Sequence, residues 1–503
     1  MALSSYEQPS VRIATARGKW ILLTTVLGSG MVLLGSTVTN VALPRIGDDF
    51  DADLAVLQWT VNAYMLTLAG LILLGGSLGD RFGRRRVFLL GVVWFSAASL
   101  LCGLAPDTGT LIAARALQGV GGALLTPGSL ALIEASFHPD DRPRAVGLWS
   151  GFGGIGAALG PFLGGWLVDG PGWRWTFLLN VPLALVCVPV ALRHVPESVG
   201  SAPAGADARR RHGFDVPGAV LGALTLALAT YALTEARGGG VLVAVAAVGS
   251  LAAGVAFIAV ERRSPDPMMP LSIFASRQFT SVNLTTVCVY AGLGGFFFLT
   301  ALQLQIVVGY SALEAGAAML PNTVLMLLFS SHSGELARRL GPRLPLTVGP
   351  LVCAAGMLLM LRVGPGTSYP LDVLPALLVI GAGMALLVAP LTVTLLSSVD
   401  DGNAGLASGI NNAAARASGL VAVAALPLLI GMGPDAYRSG AAFDASFDRA
   451  MPLCAALLGC GALSAFVTLR QIATVHHRMH WRAHGWLMEP PLAPRFSHQH
   501  ATN

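Results

Sequence analysis

The sequence predicts an all-α polytopic membrane protein of about fourteen transmembrane helices, and three observations predict it. Hydrophobic residues make up 54% of the 503 and charged residues only 11%, far from the balance of soluble domains. Apolar runs of about 20 residues, the helical length needed to cross roughly 30 Å of hydrocarbon, fill most of the chain, and they lack the alternation of a sheet barrel. Finally, the charged segment Gly76-Ser77-Leu78-Gly79-Asp80-Arg81-Phe82-Gly83-Arg84-Arg85-Arg86 recurs, worn, as Gly334-Glu335-Leu336-Ala337-Arg338-Arg339-Leu340-Gly341-Pro342-Arg343. The glycines at 334 and 341, Leu336, Arg339 and Arg343 fall in register, so the chain reads as two related halves.

In chain order, the spans are expected near 20–43, 57–77, 87–104, 111–133, 145–168, 175–193, 216–236, 241–260, 280–303, 314–333, 346–361, 372–396, 406–430 and 450–470. The first follows Arg12, Arg17 and Lys19 but is too long for a signal-peptide core and has no obvious cleavage site after it, so it is read as a retained helix. With the N-terminus inside, most of the 31 Lys and Arg fall in connections on one face, which the positive-inside rule makes cytoplasmic. This orientation places both termini in the cytoplasm and the chain in the inner (plasma) membrane. The net charge of +5 is then accounted for by anionic headgroups, and no nucleic-acid partner is expected. The six cysteines all lie in expected spans and form no CxxC pair, which suits packing roles.

The organisation expected is an N-terminal six-helix bundle at 1–194, a cytoplasmic linker at 195–215 rich in Pro, Ala, Gly, Ser and Arg, and an inserted helix pair at 216–260. A cytoplasmic link at 261–279, a C-terminal six-helix bundle at 280–470 and a cytoplasmic tail at 471–503 complete it. In that tail His476, His480 and His484 share one helical face, but Arg478, Trp481, Arg482 and Trp486 mark a helix lying at the headgroups, and no metal site is assigned. Two pseudo-repeated bundles with a polar seam are the architecture of alternating-access carriers. There is no phosphate-binding Gly-x-x-x-x-Gly-Lys-Ser/Thr loop, so neither an enzyme nor a cofactor is expected, and the driving force is an ion gradient or the substrate's own.

Three motifs carry mechanism. After span two, Gly76, Gly79 and Gly83 are expected to form a tight turn, with Asp80 reaching toward another helix end and Arg81 and Arg84 pinning the turn to the cytoplasmic face as a gate. Span four carries Arg115 with Gln118 on the same face. An arginine in the bilayer costs roughly 2.5 to 3.5 kcal/mol, so it faces a cavity or partners; the alternative is that it snorkels to the nearby membrane surface. In span five, Gly156, Gly160, Pro161, Gly164 and Gly165 form a Gly-x-x-x-Gly-Pro-x-x-Gly-Gly run in which small residues admit a neighbouring helix and Pro161 bends its own.

Together the loop after span two, Arg115-x-x-Gln118-Gly119 and the Gly-Pro-x-x-Gly-Gly of span five resemble, in order, three signatures of the major facilitator superfamily. Trp173-Arg174-Trp175, Asn180-Val181-Pro182, Phe214-Asp215 and Gly309-Tyr310-Ser311 extend the likeness to the fourteen-helix drug:proton antiporters, over about Trp20 to Arg470. The resemblance implies a major facilitator fold of two six-helix bundles plus two inserted helices. It implies that Asp80 meets the positive end of span thirteen near Asn403 to Leu406 when the cytoplasmic side is shut, that Arg115 tunes proton coupling, that Gly156, Gly160 and Pro161 shape a hinge against leakage, and that Asn40 lines the cavity. Further cavity candidates are Asn62, Tyr64, Asn322, Asn411 and Arg416.

One departure concerns span one, where Leu34-Gly35-Ser36-Thr37-Val38-Thr39-Asn40 carries glycine at the position where the family pattern has an acid. Glu134, Glu335 or His332 would then have to carry the proton. If Arg115 and Arg416 both face the cavity without a carboxylate, its field favours neutral or anionic substrates; alternatively Arg416 bonds to backbone carbonyls. The function expected is export of a hydrophobic drug or natural product against inward protons, by a monomer whose partners are the small-molecule substrate, protons and membrane lipids. A proton-independent metabolite uniporter or importer, and a non-transporting membrane sensor, are the alternatives.

Overall fold

The computed structural model describes residues 11–199, 215–265, 267–400, 404–433, 436 and 439–469; the histidines of the tail and Asn403 lie outside them. The polypeptide alternates long apolar stretches with short polar ones, and side chains at the junctions start the helices. Thr15 accepts from the Gly18 amide to open α1 (Ala16–Phe50), and Asp53 accepts from Val56 at 2.9 Å to open α2 (Leu54–Phe82). Asp107, Ser276 and Ser439 cap α4 (Thr108–Ser136), α10 (Arg277–Ile306) and α16 (Gly440–Thr468) in the same way, each satisfying an amide that the helix itself leaves without a partner.

The remaining helices are α3 (Arg84–Gly103), α5 (Arg142–Asp169), α6 (Trp175–Leu178), α7 (Asn180–His194), α8 (Val216–Thr234) and α9 (Val241–Arg263). They are followed by α11 (Ala312–Ala318), α12 (Leu320–Leu340), α13 (Arg343–Leu359), α14 (Leu374–Leu396) and α15 (Ala404–Leu429). Among the described residues twelve helical segments are long and apolar enough to cross a membrane, with α6 and α7 counted as one. The 28-residue α5 and the 21-residue α12 run beside these twelve, which makes fourteen long rods. Large apolar side chains such as Val241, Val248, Leu251 and Val255 are exposed on α9. At i, i+3 and i+4 spacing they form a stripe suited to lipid.

The chain therefore has two ends. One, here the arginine-rich end, holds the α2–α3 junction with Arg81 and Arg84 to Arg86, and by alternation also the starts of α1, α5, α10, α13 and α15. The far end holds the α1–α2 and α5–α6 junctions and the starts of α11 and α16.

The two largest of three apolar clusters among the described residues lie one on each side of a central seam. Tyr64, Phe88 and Phe95 pack among α1 to α7, and Phe296, Phe443 and Phe447 among α10 to α16. Helices α8 and α9 pack against each other, and α8 packs onto α2 and α15. Trp59 Nε1 donates to Glu235 Oε1 at 2.9 Å, and Arg237 donates to the Pro427 carbonyl at 3.1 Å, fixing the pair at its far end.

The segment 76–86 differs from the expected loop. Helix α2 runs through Phe82, so Gly76 and Gly79 are helical and only Gly83, at φ +106°, breaks the chain before α3 starts at Arg84. Nothing in the helix forbids glycine, and one residue of left-handed backbone suffices to reverse direction. Its counterpart in the repeat, Gly341, has φ +81° at the α12–α13 junction. The two turns share a conformation as well as a sequence register.

A candidate substrate cavity between the helix groups

A cavity of about 500 Å³ lies on the seam. Helix α1 supplies Ser36, Thr37 and Asn40 to its wall, α2 Asn62 and Met65, α5 Pro161, α10 Tyr290 and Phe297, α12 Asn322, α14 Met384, and α15 Asn411 and Arg416. It extends toward the arginine-rich end at Leu395 and Ser408. No Asp, Glu or His lines it among the described residues.

Hydrogen bonds across the seam shut the far end. Asp169, the last residue of α5, accepts from the amides of Ala312 at 3.3 Å and Leu313 at 2.8 Å, at the start of α11. Gln305 donates to the Val41 carbonyl at 3.1 Å, and Gln58 to the Val423 carbonyl at 2.7 Å. Below this closure the glycine run of α5 sets how closely the helices approach. A Cβ on Gly164 would lie 2.8 Å from Val38 Cγ1, one on Gly160 would strike Thr37, and one on Gly165 would strike the Ala312 carbonyl in the opposite group. Gly316 of α11 returns the contact on Pro161. Small residues are thus required on both sides of the seam. Gly156, by contrast, has open space where a Cβ would be.

The two intramembrane arginines behave oppositely. Arg115 is 1% exposed and does not line the cavity. Its Nε donates to the Thr60 carbonyl at 2.9 Å, Nη1 donates to the Gly35 carbonyl at 3.3 Å and to Gln118 Oε1, and Gln118 Nε2 donates to Ser99 Oγ at 2.6 Å. The guanidinium lies over the rings of Tyr64 and Phe177, 4.3 and 5.6 Å from their centroids. One cation thereby joins α1, α2, α3, α4 and α6. The backbone carbonyl of position 35, where the family pattern has an acid, is one of the acceptors of Arg115. Of the placements weighed from the sequence, a cavity, partners or the membrane surface, Arg115 takes the second: two carbonyls, an amide and two rings hold it inside the first core.

Arg416 does line the cavity, and its buried Nε has no hydrogen-bond partner. The alternative weighed from the sequence, a bond from Arg416 to backbone carbonyls, is not made among the described residues. Nearby, Asn411 is held by Asn283 Oδ1 at 3.1 Å and Thr286 Oγ1 at 2.8 Å, both on α10. Asn62 is fully buried with both amide atoms unpartnered, and the side-chain oxygens of Asn40 and Asn322 are likewise unpartnered. Tyr64 is the cavity candidate that the structure removes. Its hydroxyl donates to the Val32 carbonyl at 2.9 Å inside the first core, because at its place on α2 the ring turns toward α1 and α4.

At the arginine-rich end Asp80 pairs with Arg84 at 2.8 Å on its own side of the turn rather than with the start of α15. Arg81 lies over Phe82. Glu134 is exposed near this end, His332 is exposed and lies 6.3 Å from the Phe329 ring, and the Glu335 side chain lies outside the described residues. Among the described side chains, Asp80, Arg81, Glu134 and His332 do not line the cavity.

Sequence reasoning missed Glu197. Its carboxylate accepts from the Arg85 amide at 3.1 Å and faces Arg85 and Arg86 at 3.7 and 3.6 Å, while the Arg84 amide donates to the Ser198 carbonyl at 2.8 Å. The clamp caps α3 with residues from the linker. An acid just inside the start of a basic linker was the available signal. Asp169 and Gln305 were also missed, and neither belongs to any motif.

A family model described as the Major Facilitator Superfamily matches residues 25–423. The chain is 38% identical over 421 residues to the puromycin resistance protein of Streptomyces alboniger, covering 81% of this chain and 80% of that one. It is 34% identical over 443 residues to the tetracenomycin C resistance and export protein of Streptomyces glaucescens, covering 86% and 80%. To the multidrug resistance protein Stp of Mycobacterium tuberculosis H37Rv it is 35% identical over 439 residues, covering 86% and 78%. Among solved structures, a POT family transporter in complex with a thioalcohol-conjugated peptide superposes with a TM-score of 0.65 at 16% identity, covering 89% and 95% of the two chains. A bacterial homologue of the lysosomal transporter Spinster, inward-facing and unoccupied, gives 0.59 at 18% identity, covering 90% and 96%.

Proposed function

The chain belongs to the major facilitator superfamily, and from that premise we propose that it is a drug or antibiotic efflux carrier that exports hydrophobic small molecules by alternating access. The observation that carries the reading is the seam cavity: drug-sized, walled largely by apolar side chains, hydrogen-bonded shut at the far end and running toward the arginine-rich end. In the proposed orientation the arginine-rich end is cytoplasmic in the plasma membrane, as positive charge on that face favours, so the cavity is loaded from inside. The relatives' names, puromycin and tetracenomycin C resistance among them, support the same substrate range. Two six-helix groups rocking about the seam, with α8 and α9 as an inserted pair, would release the far end, and one copy of the chain suffices.

Rocking would break the Asp169, Gln305 and Gln58 bonds and bring the arginine-rich ends together, with Asp80 leaving Arg84 for the start of α15. The glycine run on α5 would keep that helix close to α1 and α11 while the seam moves. Proton antiport belongs to this reading, with Glu134, His332 and Glu335 as the acid–base groups. The lack of Asp, Glu and His among the described residues that line the cavity favours a second reading, facilitated export without protons.

The test is expression in a drug-sensitive host, followed by accumulation of puromycin and a panel of dyes and antibiotics. Lower accumulation of at least one compound, abolished by collapse of the membrane gradients, is expected. Unchanged accumulation across the panel would defeat the export reading. Efflux from proteoliposomes that is indifferent to an imposed pH gradient would select the second reading over antiport.

A further inference from the structure

We infer that the cavity selects lipophilic organic anions, weak acids whose carboxylate, enolate or phenolate oxygen pairs with Arg416, over cations of the same shape. The inference rests on the export reading of this cavity and names its substrate class.

The contrast between the two arginines carries it. Both lie within spans, where an uncompensated guanidinium is strongly disfavoured. Around Arg115 the fold supplies carbonyl, amide and aromatic partners. Around Arg416 it supplies no hydrogen bond or ion pair among the described residues, although the side chain borders the cavity and its Nε is buried. Buried polar groups without partners are rare and call for an explanation, and a bound acceptor provides one. Arginine remains charged at neutral pH and presents a forked donor set suited to a carboxylate or a pair of oxygens.

The surroundings fit the same ligand. No acid among the lining residues competes for the guanidinium or attracts a cation. Of the helices packed on α15, α10 and α14 carry no acid, Asp80 of α2 pairs with Arg84, Glu235 beside α8 accepts from Trp59, and α16 carries Asp444, which accepts from Gln303, and Asp448, neither of which lines the cavity. Asn62 and Asn322, buried and unpartnered, add amide donors and acceptors for a ligand's carbonyl or hydroxyl groups. Phe297, Met65 and Met384 supply apolar surface for a ring system, and methionine adapts to varied shapes. A single buried cation in an apolar chamber favours a ligand of opposite charge over its cationic counterpart.

The experiment uses two xanthene dyes of matched shape, anionic fluorescein and cationic rhodamine 6G. Binding to the full chain in phosphatidylcholine nanodiscs, which present no net headgroup charge, is followed by anisotropy. Fluorescein should bind about 10-fold more tightly than rhodamine 6G, as expected when one charge-assisted hydrogen bond is gained. Arg416→Gln should weaken fluorescein by about 10-fold or more and leave rhodamine 6G unchanged or improved, while Arg416→Lys, which keeps the charge, should retain most fluorescein binding. Equal or tighter binding of rhodamine 6G, no fluorescein binding, or an Arg416→Gln protein that binds fluorescein normally would overturn the inference. A separate arm measures movement of both dyes in proteoliposomes. Anion binding without movement of either dye would leave the charge selectivity standing and count against export, whereas export of rhodamine 6G alone would do the reverse.

Discussion

Arg115 rests with its guanidinium carbon 4.3 Å from the centre of the Tyr64 ring, and Tyr64 is in turn fixed by its hydroxyl on the Val32 carbonyl. The cation therefore sits on a ring that cannot turn away, and Thr60, Gly35 and Gln118 bind its edge. Removing it would leave the buried Gln118 side-chain oxygen without its donor and a void beside the Tyr64 and Phe177 rings. Arg115→Ala is expected to destabilise the first core by about 3 kcal/mol. The fall should appear as a lower melting temperature in detergent, with and without substrate; lost transport at unchanged stability would mean that Arg115 acts in coupling rather than in holding the bundle.

Position 35 offers a second test. A Cβ there would lie 3.1 Å from Phe95 Cζ and 3.8 Å from Gln118 Nε2, so a carboxylate installed by Gly35→Asp would enter the Arg115 network. Gly35→Asp is expected to steepen the dependence of efflux on an imposed pH gradient relative to the wild type, with Phe95→Leu relieving the crowding. Identical gradient dependence in wild type and variant would show that coupling runs elsewhere.

Closure at the far end depends on the lack of a side chain at Gly165. Gly165→Ala would push a methyl group into the Ala312 carbonyl and Leu313, and overpacking of this kind costs about 1 to 3 kcal/mol. Since the clash exists only when α5 and α11 are together, the equilibrium should move by about 10-fold toward a far-end-open form. Cysteines placed at Asp169 and Leu313 would then cross-link more slowly in the Gly165→Ala background. An undiminished rate would refute the assignment of this contact to the gate.

The Glu197 clamp predicts a local effect. Glu197→Ala removes the acceptor for the Arg85 amide and the counter-charge of Arg85 and Arg86, with an expected loss of about 1 kcal/mol, as for other lost helix caps. Faster hydrogen exchange at the α2–α3 turn, with exchange elsewhere unchanged, is the readout.

Asp107 supplies a dependence on pH. It accepts from the Thr110 amide at 2.8 Å and hydroxyl at 2.9 Å, and these bonds hold its carboxyl below the usual aspartate range. Because the folded value is depressed, the cap is complete above the unfolded value of about 3.9 and is lost as pH falls through the folded one. Amides at the start of α4 should exchange faster only in that acid window, and Asp107→Asn should remove the dependence.

The register of the repeat was legible from residues alone, and Gly83 and Gly341 adopt positive φ at matching junctions. The cavity residues Asn40, Asn62, Asn322, Asn411 and Arg416 were also legible, since polar groups are conspicuous in apolar runs. Facing was not. Lipid and protein interior are equally apolar, so a spanning helix shows no contrast between the side that meets tails and the side that meets neighbours. That is why Tyr64 was assigned to the cavity although it turns into the first core, and why the residues alone left Arg115 between a cavity, partners and the membrane surface. Gly76 and Gly79 misled for a related reason, because glycine in a membrane helix marks close packing as often as a turn. Asp169 and Gln305 act on backbone groups of distant helices, a pairing that no local spacing encodes.

The Asp169 contact has one more consequence. Helix α11 is stitched into one bundle by its sequence, yet the amides of its first turn are completed by a carboxylate belonging to the other. Parting the bundles would therefore hand two amides from protein to water. Water is an adequate substitute at a helix end, so each opening exchanges one solvation shell for another without tearing a folded element. A seam closed by end-capping is resealable, and it can be worn open and shut at every turnover while the helices on either side stay whole.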